Sequence, residues 1–202
     1  MTDNHIINLM LIGHQKSGKS QIAEVYISEK PKQNNEYLET NAVLFFQKIQ
    51  QLDKVQKNLV IADTPGIESD LFKSIIPLMI QGQHIIILVF DLCNYLSLKF
   101  EKEVIDLLKK QDSKTYCIIG TQKLQYQDTD KDYKKQVTQK IEKLKQGLEI
   151  SQKDAVIYVD GQNFLSVQKA IQMCLNCYDN RDQKFQVRKQ NTHEKSIECQ
   201  LI

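Results

Sequence analysis

Residues 6–26 read IINLMLIGHQKSGKSQIAEVY, and three local signals follow one another in them. Residues 6–12 form a continuous apolar run, which suits a strand buried on both faces. Gly13 to Ser20, GHQKSGKS, has the G-x-x-x-x-G-K-S spacing of a phosphate-binding loop. In residues 19–28, Ile22, Val25 and Tyr26 recur at helical spacing. The chemistry needs that order. Glycines let backbone N–H groups close around phosphate oxygens. Lys19 is placed to reach the β- and γ-phosphates, and the Ser20 hydroxyl to bind Mg²⁺. The helix then points its positive N-terminal end at the same anions. Gln15, Lys16, Ser17 and Gln21 complete the candidate phosphate contacts with Gly13 and Gly18.

Working outward, strands and helices alternate. VLFFQKI (43–49) and NLVIA (58–62) read as a hairpin pair. IIILVF (85–90), TYCII (115–119) and AVIYV (155–159) are β-branched runs, each followed by a polar loop. Helical faces lie between them: Phe100, Val104, Leu107 and Leu108; then Val137, Ile141, Leu144 and Leu148; then Val167, Ala170, Ile171, Cys174 and Tyr178. Strands buried on both faces with helices between them predict a mostly parallel sheet sandwiched by helices, with one antiparallel edge strand.

Two further elements suit a phosphate site. NLVIA runs into Asp63-Thr64-Pro65-Gly66. A carboxylate at a strand's C-terminal end can hold magnesium water, and Gly66 can bring an N–H to a γ-phosphate. In the polar loop 29–41, Thr40 is a candidate magnesium ligand that engages only when a γ-phosphate is present, an order–disorder switch. A plain turn threonine is the simpler reading of the same residue.

The chain resembles the Ras-like small GTPases, and within them the Rab branch, over residues 6–178. The likeness rests on GHQKSGKS, YLETNAVLF, DTPGIE and LFKSIIPLMIQGQHIIILVFDLCNYLS. It implies a P-loop GTPase fold: a six-stranded, mostly parallel sheet with one antiparallel edge strand and five helices. It further implies a GTP-dependent switch at membranes that binds GTP or GDP with Mg²⁺. Effectors, an activating protein and an exchange factor are the implied partners. The resemblance carries magnesium roles onto Ser20, Thr40 and Asp63, γ-phosphate sensing onto Gly66 and the catalytic lysine onto Lys19.

Two places depart from the family. Ile67 stands where a glutamine usually orients the attacking water, and Gln15 and Lys16 are bulky. The only arginines are Arg181 and Arg188. An arginine finger contributes about 10³–10⁵ in rate, so slow intrinsic hydrolysis is expected. The lack of arginine also argues against a nucleotide or metabolite kinase on this loop. At the base, the family's N-K-x-D appears as Thr121-Gln122-Lys123-Leu124-Gln125. In direct register the acid position is Leu124; slipped by one residue it is Gln125. Asp128 is a further acid nearby. A neutral amide in place of a carboxylate lowers guanine preference by roughly tenfold. The third base element is Asp160-Gly161-Gln162, with Gly161 and Gln162 as candidate contacts. No stacking aromatic precedes Thr40 at the expected place, and Pro31 lies near it.

The 202 residues carry a formal net charge of +2, which gives no case for nucleic acid as the partner. No apolar run approaches the roughly 18 residues of a spanning helix. Of five cysteines, Cys93 and Cys117 lie in or beside apolar runs and read as buried packing residues. Cys174-x-x-Cys177 reads as core helix, since no second Cys or His pair has zinc-site spacing. Residues 179–202 lack periodicity and read as a flexible tail behind a GTPase-like domain of residues 1–178. Their last four, Cys199-Gln200-Leu201-Ile202, fit the C-a-a-X prenylation pattern. One lipid with a mild basic bias predicts a cytoplasmic protein held reversibly on the cytosolic face of a membrane. An alternative reading is a GTPase-like scaffold that holds nucleotide and recruits partners without significant turnover.

Overall fold

The computed structural model describes residues 5–31, 38–52, 55–100, 102–111, 114–122, 131–150 and 156–198. The first apolar run forms β1 (His5–Ile12). Period-2 alternation sends Ile7, Leu9 and Leu11 to one core and Met10 and Ile12 to the other. The run Ile85–Asp91 (β4) divides in the same way, with Ile85, Ile87 and Val89 opposite Ile86, Leu88 and Phe90. Both strands are covered on both sides, which is why their sequences read as unbroken hydrophobic runs.

The other strands are β2 (Leu44–Leu52), β3 (Val55–Asp63), β5 (Thr115–Gln122) and β6 (Val156–Asp160). The sheet order is β2-β3-β1-β4-β5-β6, and among the described residues only β2 and β3 pair antiparallel. One face is covered by α1 (Lys19–Ser28) and α5 (Phe164–Glu198). The other is covered by α2 (Asp70–Met79), α3 (Lys102–Lys109) and α4 (Lys131–Gly147). This is the six-stranded, five-helix P-loop GTPase architecture that the sequence implies. The predicted helical faces are buried: Val137, Ile141 and Leu144 pack on one side, and Val167, Ala170, Ile171 and Cys174 on the other.

Register places the site. In the parallel strands Leu11 lies beside Asp63 and Ile87, and Asp91 lies beside Thr121. The C-terminal ends of β1, β3, β4 and β5 therefore meet at one edge of the sheet, where ligands of open α/β folds bind.

Two expectations change. Cys93, read as buried, is exposed. The strand ends at Asp91, whose Oδ1 accepts the Cys93 N–H at 2.8 Å, and this turn sends Leu92 inward and Cys93 out. The flexible tail read from residue 179 is instead a continuation of α5 as far as Glu198. No glycine or proline follows Gly161, so nothing in the sequence stops the helix, and the lysines, glutamines and glutamates there are good helix formers. The Lys57 ammonium meets Asp179 at 2.8 Å, tying α5 to β3 where the apolar stripe ends. Cys117, Cys174 and Cys177 are buried together in the core, as packing residues should be.

Ile87 has no exposed surface and lies in the strand between β1 and β5. Ile87→Ala removes three buried carbons and leaves a cavity, costing about 2–5 kcal/mol of stability. Urea unfolding of the purified protein, read by far-ultraviolet circular dichroism, measures this.

Candidate functional site

The loop between β1 and α1 curls because two glycines permit it. A Cβ on Gly13 would stand 2.1 Å from the Val89 carbonyl oxygen, so only glycine lets the strand turn there. Gly18 has φ +97°, in the left-handed region that side chains disfavour, and a Cβ there would meet Thr121 Cγ2 at 2.8 Å. Lys16 also takes a positive φ of 59°. From beneath, Thr121 holds the loop. Its Oγ1 lies 2.8 Å from the Ser17 carbonyl oxygen and 3.1 Å from that of Phe90. Thr64 braces the end of β1 similarly, donating to the Leu11 carbonyl at 2.7 Å.

Lys19 is only 5% exposed, and its Nζ donates to the carbonyls of Gly13 and His14, each at 2.9 Å. Burial pushes its ammonium down from 10.5 to about 8, against the opposing pull of Asp63 and Glu68. A buried cation beneath a curl of backbone is a receptor for an anion. Ser17 is buried, and its Oγ has no hydrogen-bond partner among the described residues.

The candidate magnesium ligands come together. Ser20 Oγ and Thr40 Oγ1 lie 3.0 Å apart although 20 residues separate them in the chain. Asp63 is fully buried at the end of β3, close enough to act on Lys19. A carboxylate and two hydroxyls beside a phosphate loop suit Mg²⁺, which takes few protein ligands and completes its shell with water and phosphate oxygens. Ser20, Thr40 and Asp63 would hold the ion, and the ion would offset the charge on the β- and γ-phosphates.

Ile67 is turned inward. It is 1% exposed and packs with Met10, Ile12, Ala62 and Phe72. Its N–H donates to the Gly13 carbonyl at 3.2 Å. Gly66 lies directly against Gln15: a Cβ on it would stand 2.6 Å from Gln15 Cγ.

The base end is partly outside the described residues: Lys123, Leu124, Gln125 and Asp128 lie there, and Gln122 ends β5. Thr121, read as a base contact, is 7% exposed, and its hydroxyl donates to the carbonyls of Ser17 in the loop and Phe90 in β4, so it braces the loop against the sheet. Gly161 stands beside Gln21, with a Cβ position 3.3 Å from Gln21 Oε1, and so brings the loop after β6 to the start of α1. Asp160 Oδ1 accepts the Gln162 N–H at 3.0 Å and shapes that loop. Cys199 also lies outside the described residues.

Three charged or titratable residues at the mouth were not among the expected site residues. Glu39 accepts from Gln15 Nε2 at 2.5 Å. Glu68 accepts the Gln15 N–H at 2.8 Å and lies 3.4 Å from His14 Nδ1. His14 Nε2 sits 2.9 Å from the Lys99 carbonyl oxygen. A signal existed only in position: Glu39 precedes Thr40, and Glu68 is two residues beyond Gly66.

The Ras family profile matches residues 8–180. The match spans the phosphate loop, the segments around Thr40 and Gly66, and all of the sheet but the first residues of β1, and the chain belongs to the Ras family. It is a small GTP-binding switch protein, of the class that binds guanine nucleotide, typically with Mg²⁺, and meets regulators and effectors. No significant match exists among curated proteins.

Because folding lowers the Lys19 pKa, the folded chain releases this proton near pH 8 while the unfolded chain holds it to about 10.5. This group therefore costs stability below pH 8, and the cost is relieved as pH rises from 8 to 10.5. Bound phosphates raise the pKa again by opposite charge. Through Lys19, nucleotide binding at pH 9 should take up close to one proton and binding at pH 6.5 almost none, read as the difference between the wild type and Lys19→Ala so that the terminal phosphate's own proton, with a pKa of about 6, cancels. Titration calorimetry in buffers of different ionisation enthalpy reads the difference.

Proposed function

We propose that this chain is a membrane-associated guanine-nucleotide switch with slow intrinsic hydrolysis, acting in trafficking or signalling in the manner of the Rab branch. One contact carries the reading: Ser20 Oγ stands 3.0 Å from Thr40 Oγ1, beside a buried Lys19 and Asp63. A phosphate loop and a switch threonine meet there, as a γ-phosphate-sensitive magnesium site requires. In this reading Gly13, Gln15, Lys16, Ser17, Gly18, Lys19, Ser20 and Gln21 line the phosphates with Gly66. Lys123, with Gln122, Gln125, Gly161 and Gln162, serves the base.

Slow turnover follows from two features. The residue after Gly66 is an isoleucine held in the core, so it orients no water. Residues 1–180 contain no arginine to stabilise charge on the transferring phosphoryl group. The same features favour a second reading, a nucleotide-holding scaffold that recruits partners without turnover.

Chromatography of nucleotide released from the purified protein, followed by single-turnover hydrolysis, separates the two. The expected result is bound guanine nucleotide and phosphate release at or below roughly 10⁻⁴ s⁻¹. Lys19→Ala should abolish release and weaken retention by roughly 100-fold, through the loss of two charge-assisted contacts. Bound nucleotide with no release at all supports the scaffold.

Residence on the cytosolic face of a membrane rests on Cys199-Gln200-Leu201-Ile202 as a prenylation signal. A single lipid gives reversible attachment, so the protein cycles between membrane and cytosol. Cys199→Ser should move it wholly to the soluble fraction on cell fractionation; an unchanged distribution removes the lipid from the account.

A further inference from the structure

Gln15 joins the phosphate loop to both neighbouring segments. Its Nε2 donates to Glu39 Oε1 at 2.5 Å, and its backbone N–H donates to Glu68 Oε1 at 2.8 Å. Its Cγ packs across Gly66. Glu39 adjoins Thr40, so the segment 38–40 is tied to the loop at two successive residues, through Gln15 and through Ser20. The segment 66–69 is held by the Ile67 side chain in the core, by the Ile67 N–H on the Gly13 carbonyl, and by a turn in which Ser69 N–H donates to the Gly66 carbonyl at 2.9 Å.

In an ordinary switch, such segments are ordered by bonds to the γ-phosphate and its magnesium. A side chain that bonds the segment next to the threonine supplies order from another source. Gln15 can do this because its amide carries a donor that reaches Glu39. A glycine or alanine there would have none, and a glutamate would set two carboxylates against each other. We propose that Gln15 is a positioning residue: its side chain holds the segment 38–40 against the phosphate loop with a diphosphate as well as with a triphosphate. The segment 38–40 then changes less between the GDP and GTP forms than one ordered by the γ-phosphate alone. The proposal rests on the reading of the site as a guanine-nucleotide site, and it limits how far Thr40 is released when the γ-phosphate is lost.

Hydrogen exchange followed by mass spectrometry tests it on the full chain loaded with GDP or with a non-hydrolysable GTP analogue. Wild type, Gln15→Ala and Gln15→Met are compared; methionine keeps the bulk and loses the donor. In the wild type, the peptide covering 38–46 should exchange at rates within about threefold in the two forms. In both variants it should exchange roughly 5–10-fold faster with GDP and close to the wild-type rate with the analogue. The peptide covering 64–72, tied through the backbone of residue 15, should change less. Peptides from β4 report whether the fold is intact. A wild type that differs by more than tenfold between forms overturns the proposal. So does a Gln15→Met protein as well protected with GDP as the wild type. If the wild type takes up no guanine nucleotide, the nucleotide-free proteins carry the test. Faster exchange at 38–46 in Gln15→Met then upholds the Gln15 tie while the switch reading fails, and unchanged exchange overturns both.

Discussion

The placement of one ammonium under one curled loop constrains most of what surrounds it. Lys19 is buried with two carbonyl oxygens as hydrogen-bond partners and two carboxylates near enough to act on its charge. A cation so placed is held at a cost, because carbonyl dipoles replace water only partly. An arriving phosphate offsets that cost, so the loop is poised for an anion. The curl itself depends on the sheet. Gly13 turns against the Val89 carbonyl of β4, and Thr121 at the end of β5 bonds the Ser17 carbonyl. A register slip of β1, β4 or β5 would move a wall of the loop, so strand order and site geometry are one constraint.

The same economy explains Ile67. Family members usually carry a glutamine after the Gly66 position, where it faces the attacking water. Here an aliphatic side chain goes down into the core beside Phe72 instead. Burial of an isoleucine contributes about 1.5–3 kcal/mol and anchors the segment 66–69. Gln15, Glu39 and Glu68 add polar ties at the mouth of the same site.

Much of this was legible in the sequence, for local reasons. A strand buried on both faces must be apolar throughout, so β1, β4 and β5 announce themselves as runs. G-x-x-x-x-G-K-S has one mechanical use after such a strand. Errors came where a local pattern had two outcomes. Cys93 sits beside an apolar run, but a turn closed on the Asp91 carboxylate sends it to solvent. Residues beyond Tyr178 lack an apolar stripe, yet a helix already begun has no glycine or proline to stop it. At Thr121 the structure adds a partner that the sequence does not show: its hydroxyl donates to the Ser17 and Phe90 carbonyls.

The sequence by itself determined the phosphate loop, the alternation of strands and helices, and the arginine-free first 180 residues, because these depend on residue type and spacing alone. Tertiary structure decided which residues meet. Ser20 and Thr40 come within 3.0 Å across 20 residues, and Ile67 joins a core cluster whose members reach from Met10 to Leu148 in the chain. Gln15 finds Glu39 on one side and Glu68 on the other. Such pairings arise from strand register and loop closure. These are collective properties of the packed sheet, and no window of sequence contains them.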